Sequence, residues 1–133
     1  MSKLEWKLLT KKRGSSTALG IPPGKEALLW VTGTVTLIYG ERDAVLVDTF
    51  LSEQHSKELL EWVVESGKNL TTIYVTHAHG DHYFGLKHLL DKFPNAKAIA
   101  TAPVEALLCL SKIGKRVVPL SVLFHKPPPA VVT

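Results

Sequence analysis

The run Thr76-His77-Ala78-His79-Gly80-Asp81-His82 puts three histidines and a carboxylate into the positions 77–82, directly after the β-rich stretch "TTIYV". In extended or turn backbone, side chains two apart point the same way, so His77 and His79 can present their imidazoles to one point. Asp81 and His82 fall where the next helix should begin. They can face the same cavity from the other side, with an oxygen and a third nitrogen. Gly80 between them removes a side chain where the backbone must pass closest. Imidazole nitrogen with carboxylate oxygen suits zinc, iron or manganese, and with no thiolate nearby the set is not that of a structural zinc finger. The chain has six histidines and four aspartates. From that composition this order and spacing would arise by chance on the order of 3 times in 10,000, so metal binding is the chemistry to expect. The remaining histidines carry a different expectation. His55 and His88 fall inside expected helices, where packing or solvent is their usual environment, and His125 in "LFHKPPP" reads as an incidental tail residue.

The elements that must position the cluster follow from periodicity. From Ala27 the alternating "LLWVTGTVTLIYG" reads as a strand, Gly40 to Asp43 as a turn and Ala44 to Val47 as a second strand, together a β-hairpin. An amphipathic helix follows, with Ser52 as its N-cap, Leu59, Leu60, Trp62 and Val63 as its apolar face, and Gly67 where a C-terminus favours positive φ. "LTTIYVT" is the next strand, "DHYFGLKHLLDKF" a second helix and "AKAIAT" a third short strand. Pro103 then opens a helix through about Lys112. Strand and helix therefore alternate from residue 44, which predicts an α/β (α+β) fold with helices packed on a largely parallel part of the sheet. Asp48 follows one strand and His77 another, and strand-end loops are where such sheets carry their sites. Along the chain this gives a basic lead-in at 1–26, the domain at 27–114 and an atypical proline-rich tail at 115–133. In that tail a triple proline permits neither helix nor central strand.

The length is that of one ordinary domain. No apolar run is long enough to span a bilayer and the charged N-terminus is not a secretory signal, so a cytoplasmic chain without a membrane partner is expected. Cys109, the single cysteine, sits in "VEALLCLSKIG" and reads as a buried packing residue. The net charge of +4 resolves into +5 over residues 1–25, −5 over 26–105 and +4 over 106–133. The basicity is thus in the ends, and the histidine cluster lies in an acidic stretch. Lys11, Lys12 and Arg13 read as a solvated arm, and without aromatic interleaving a nucleic-acid partner is not expected.

The motif "THAHGDH" after a β-strand, preceded by a strand ending in aspartate in "AVLVDTF", resembles the metallo-β-lactamase superfamily of metal-dependent hydrolases over roughly residues 31–108. The resemblance implies an αββα sandwich, of which this chain would be the N-terminal half. It implies that His77 and His79 bind a first metal and Asp81 and His82 a second, zinc above all, as one or two ions. It further implies that Asp48 supports the metal-binding loop without coordinating. The implied reaction is hydrolysis by a metal-bound hydroxide, with Asp81 as the catalytic residue that orients the water and accepts its proton. Substrates would be small-molecule esters, thioesters, lactams or phosphodiesters.

The family's second half should bring a further histidine in a glycine-histidine-threonine context, a bridging aspartate and a last histidine. No aspartate follows Asp91, and His125 is the one later histidine. The expectation is an apparently truncated hydrolase whose frame ends or changes after about Gly114, with self-association through the uncovered sheet. The alternative is a non-catalytic remnant or metal-binding module without turnover.

Overall fold

The computed structural model describes residues 3–12 and 32–121. Six strands form one sheet in the order of the chain: β1 (Glu5–Lys11), β2 (Gly33–Tyr39), β3 (Asp43–Val47), β4 (Asn69–Tyr74), β5 (Lys97–Ala100) and β6 (Val117–Pro119). The first three pair antiparallel and β3 to β6 pair parallel. Parallel neighbours need a crossover, and helices supply it. α1 (Glu53–Glu65) links β3 to β4, α2 (Gly80–Tyr83) and α3 (Leu86–Lys92) link β4 to β5, and α4 (Ala102–Leu108) links β5 to β6. Among the described residues no helix is long and apolar enough to cross a membrane.

The core lies between one sheet face and the helices. Val35, Leu37, Leu46 and Ile73 from the strands meet Leu59, Val63, Leu86 and Leu89 from α1 and α3, all of them fully buried. Burying each such side chain contributes about 1.5–3 kcal/mol. α1 starts as its sequence predicts, since the Ser52 hydroxyl accepts from the His55 N–H at 3.2 Å. It ends at Gly67, whose φ of 67° needs a residue without a Cβ penalty.

Four local expectations are corrected. Part of the stretch read as a lead-in is a strand: Glu5–Lys11 pairs with β2 along its whole length. Its lysines hid the alternation, because Lys7 and Lys11 face the helix side, where their ammonium groups find partners on α1. The Lys7 ammonium lies 4.6 Å from the centre of the Trp62 ring, and Lys11 is ion-paired with Glu58 rather than free in a solvated arm. The single helix expected from Asp81 to Phe93 is two, broken at Phe84–Gly85. The His82 carbonyl accepts from Thr49 N–H at 3.0 Å, and the Gly85 N–H donates to the Thr49 hydroxyl at 3.1 Å, so the helical bonds there are diverted. The helix from Pro103 stops at Leu108, where the Cys109 N–H bonds the Glu105 carbonyl. Cys109 itself is half-buried, with its thiol on the Ala106 carbonyl, and is not the buried core residue expected.

The apolar run after Gly114 forms β6, with Val117 buried against Ala98. The strand expected from Ala27 falls outside the described residues up to Val31, as do Arg13, His125 and the triple proline.

Candidate metal centre

The site sits where parallel neighbours β3 and β4 end side by side. β3 delivers Asp48 and β4 delivers Thr76 and His77. The Asp48 N–H still donates to the Tyr74 carbonyl at 2.9 Å, after which the backbone turns out of the sheet. It does so at Asp48 itself, whose φ of 65° lies in the left-handed region that aspartate tolerates better than most residues. That turn aims the carboxylate along the sheet edge and buries it, with 7% of the residue exposed.

The buried carboxylate is fully partnered. Oδ1 accepts from the Thr76 N–H at 2.8 Å, and Oδ2 accepts from the Thr76 hydroxyl at 2.7 Å and from His82 Nδ1 at 2.8 Å. The sequence placed Asp48 under the loop of His77 and His79; its direct contacts are with Thr76 and His82. A carboxylate is an acceptor only, so His82 donates to it from Nδ1. The carbonyl of the same residue is held by the Thr49 N–H, so one loop anchors both backbone and ring of His82.

His77, His79 and His82 come together as rings. The centroids of His77 and His82 are 3.8 Å apart, and those of His77 and His79 are 4.9 Å apart. His79 is the N-cap of α2, with φ −86° and ψ 140°, and is exposed. Asp81, in the first turn of α2, has its Oδ2 at 3.5 Å from His82 Nε2. A Cβ on Gly80 would meet the far edge of the Phe84 ring at 2.8 Å, a half-exposed side chain that can turn aside.

These donors suit a divalent metal in chemical kind, and with Nδ1 on Asp48 the His82 ring turns its Nε2 toward Asp81 Oδ2. Among the described residues, however, no three histidine, cysteine or acidic side chains converge as a set that could hold an ion. The fit is therefore one of donor chemistry and of ring orientation, with the coordination set not closed.

The two helical histidines lie apart from this group. His88 bonds Glu53 at 3.0 Å across the α1–α3 contact, and His55 packs edge-on to Phe50 at 5.8 Å. Sequence reasoning passed over Thr76 and Thr49. The signal for Thr76 was its place directly before His77, but the partner that gives it a role is 28 positions away. For Thr49 no sequence signal pointed to Gly85 or His82.

The family model of the metallo-beta-lactamase superfamily matches residues 28–121, well over half of the chain. Among curated proteins, the chain is 40% identical over 81 residues to an atrochrysone carboxyl ACP thioesterase of Pseudocercospora fijiensis, a match covering 59% of this chain and 23% of that protein. It is 36% identical over 64 residues to a hydroxyacylglutathione hydrolase of Francisella tularensis subsp. novicida, covering 48% of this chain and 24% of that one. Among solved structures it superposes on the metallo-beta-lactamase DIM-1 exposed to ceftazidime with a TM-score of 0.60 at 21% identity, covering 89% of this chain and 49% of that chain. With FIM-1 from Pseudomonas aeruginosa in its mono-zinc form the TM-score is 0.59 at 17% identity, covering 80% and 44%. The matches thus span about a quarter of those curated relatives and under half of those solved chains. The six-stranded sheet with its crossover helices is the fold shared with these structures, and with the family match it establishes that the chain belongs to the metallo-beta-lactamase superfamily.

Proposed function

We propose that the strand-end cluster is a divalent metal site serving hydrolysis, with zinc the first metal to test and iron or manganese the alternatives, and that the substrate is a thioester before an ester, lactam or phosphodiester. The observation that carries this is the hydrogen bond from His82 Nδ1 to the buried Asp48, which orients a ligating histidine. The thioester preference rests on the 40% identical relative being a thioesterase by name. His77 and His79 would hold one ion, and Asp81 and His82 a second. A bound divalent ion supplies Lewis acidity and lowers the pKa of water toward neutrality. The chain's own residues do the rest: Asp48 keeps His82 in register, and Asp81 stands beside His82 as the carboxylate that would orient a water and take its proton.

A second reading, metal binding without turnover, is favoured by the donor set, which does not close among the described residues. Calorimetric zinc titration of the 133-residue chain, followed by a thioester hydrolysis assay with excess zinc, separates the two. Under the second reading the result is weak zinc retention that drops on His77→Ala or His79→Ala and ignores His125→Ala, with no hydrolysis above the free-zinc background. Turnover that disappears with His79→Ala would instead establish a complete site within this chain. Absence of zinc binding would overturn both readings.

A further inference from the structure

The Thr76 hydroxyl touches two groups at once. It lies 2.7 Å from Asp48 Oδ2 and 3.0 Å from His77 Nδ1. A hydroxyl has one proton, and the carboxylate can only accept, so that proton goes to Asp48. Toward His77 the oxygen is then left with lone pairs alone, and the bond between them needs the proton on His77 Nδ1. The imidazole Nε2 of His77 is thereby left bare. The same carboxylate oxygen that receives the Thr76 proton also receives His82 Nδ1–H at 2.8 Å. One oxygen of one aspartate therefore sets two rings whose centroids are 3.8 Å apart, His82 directly and His77 through a hydroxyl. The Thr76 N–H on Asp48 Oδ1 at 2.8 Å fixes the backbone from which the hydroxyl projects, so the relay starts from an anchored residue.

We infer that Thr76 is a positioning residue for metal capture, which selects the Nδ1–H tautomer of His77 and so presents its Nε2 as a ligand. The metal half of this statement rests on the functional reading above, whereas the tautomer half does not. A valine at 76 keeps the shape and the backbone N–H but has no hydroxyl. His77 would then drift toward the Nε2–H tautomer that free histidine prefers in water, with its ligating nitrogen blocked. A serine keeps the relay.

Nitrogen-15 NMR of the imidazoles in the metal-free 133-residue chain, recorded well above the ordinary histidine pKa, reads the tautomer directly. The expected result is Nδ1–H at His77 in the unaltered chain, a shift toward Nε2–H in Thr76→Val and recovery in Thr76→Ser. His82 should stay Nδ1–H in all three, because its bond to Asp48 is independent of the hydroxyl. Zinc affinity should fall about 10-fold in Thr76→Val and be largely restored in Thr76→Ser, in line with the loss of an orienting partner behind a ligand. Finding Nε2–H at His77 in the unaltered chain, or the same tautomer with and without the hydroxyl, would overturn the inference, and the first of these needs no variant to fold. A chain that binds no zinc yet shows the expected tautomer change would overturn the metal site and uphold the role of Thr76 on His77.

Discussion

Asp48 carries two demands at once, a left-handed backbone and a buried carboxylate, and substitutions can part them. Asp48→Ala removes the carboxylate and puts a Cβ of ordinary preference at φ 65°. Asp48→Gly removes the same carboxylate but relieves the backbone. Alanine here should therefore be less stable than glycine by about 1 kcal/mol, the reverse of their usual order, as read by denaturant unfolding. Both should weaken zinc binding by about 10 to 100-fold if orientation of His82 is what the carboxylate contributes. An unchanged affinity would remove Asp48 from the site. Asp43, whose carboxylate caps Asn69 at 2.9 Å at the far end of β3, is the control, and Asp43→Ala should leave zinc affinity as it was.

Between elements, the break after α2 depends on close approach. A Cβ on Gly85 would meet Thr49 Cβ at 2.9 Å and Ser56 Oγ at 3.0 Å, with both neighbours buried. Gly85→Ala should therefore push α3 away from α1 and cost about 1–3 kcal/mol, the range for overpacking a close contact. A smaller loss in thermal unfolding would mean that the loop at Thr49 yields. On the opposite surface of α3, hydrogen bonds from Lys87 and then from Arg116 hold the Asp91 carboxyl below its ordinary 3.8. Arg116 stands at the entry to β6, so this carboxylate ties α3 to the last strand at 3.1 Å. A depressed carboxyl pKa contributes stability above its unfolded value, and that contribution is lost as pH falls through the folded value. Asp91→Asn should accordingly lower stability slightly at neutral pH, where the contribution is present, and leave it unchanged well below about pH 4, where it is already lost, so that the acid limb is flatter; the difference is small because the group is exposed. Parallel acid limbs in the two proteins would count against that link.

At the scale of the whole molecule, the sheet has one face under helices and another on which Trp6, Leu8 and Ile38 are 66%, 52% and 37% exposed. Trp6 and Ile38 are register partners across β1 and β2, so they form a contiguous patch next to an edge strand. Such a patch at a sheet edge favours pairing with another copy. The full chain should self-associate with rising concentration in sedimentation velocity, and Trp6→Lys should shift it toward monomer. A concentration-independent monomer before substitution would refute this expectation.

By itself the sequence determined the family and most of the elements. Coordinating residues in "THAHGDH" and aspartate at a strand end are local patterns, and so are the period of α1, its Ser52 cap and the strand-helix alternation that predicted a parallel sheet. β1 was hidden because Lys7 and Lys11 interrupt its inward-facing positions, and their contacts with the Trp62 ring and with Glu58 exist only once α1 lies across the strand. The split of the second helix was hidden for the same reason, since Thr49 competes for its bonds from 36 positions away. Tertiary structure alone decided which partners the rings of His77 and His82 meet. That choice depends on a single carboxylate oxygen reached by His82 across 34 positions and by Thr76 across 28, and hydrogen bonds of that span leave no periodicity to read in the chain.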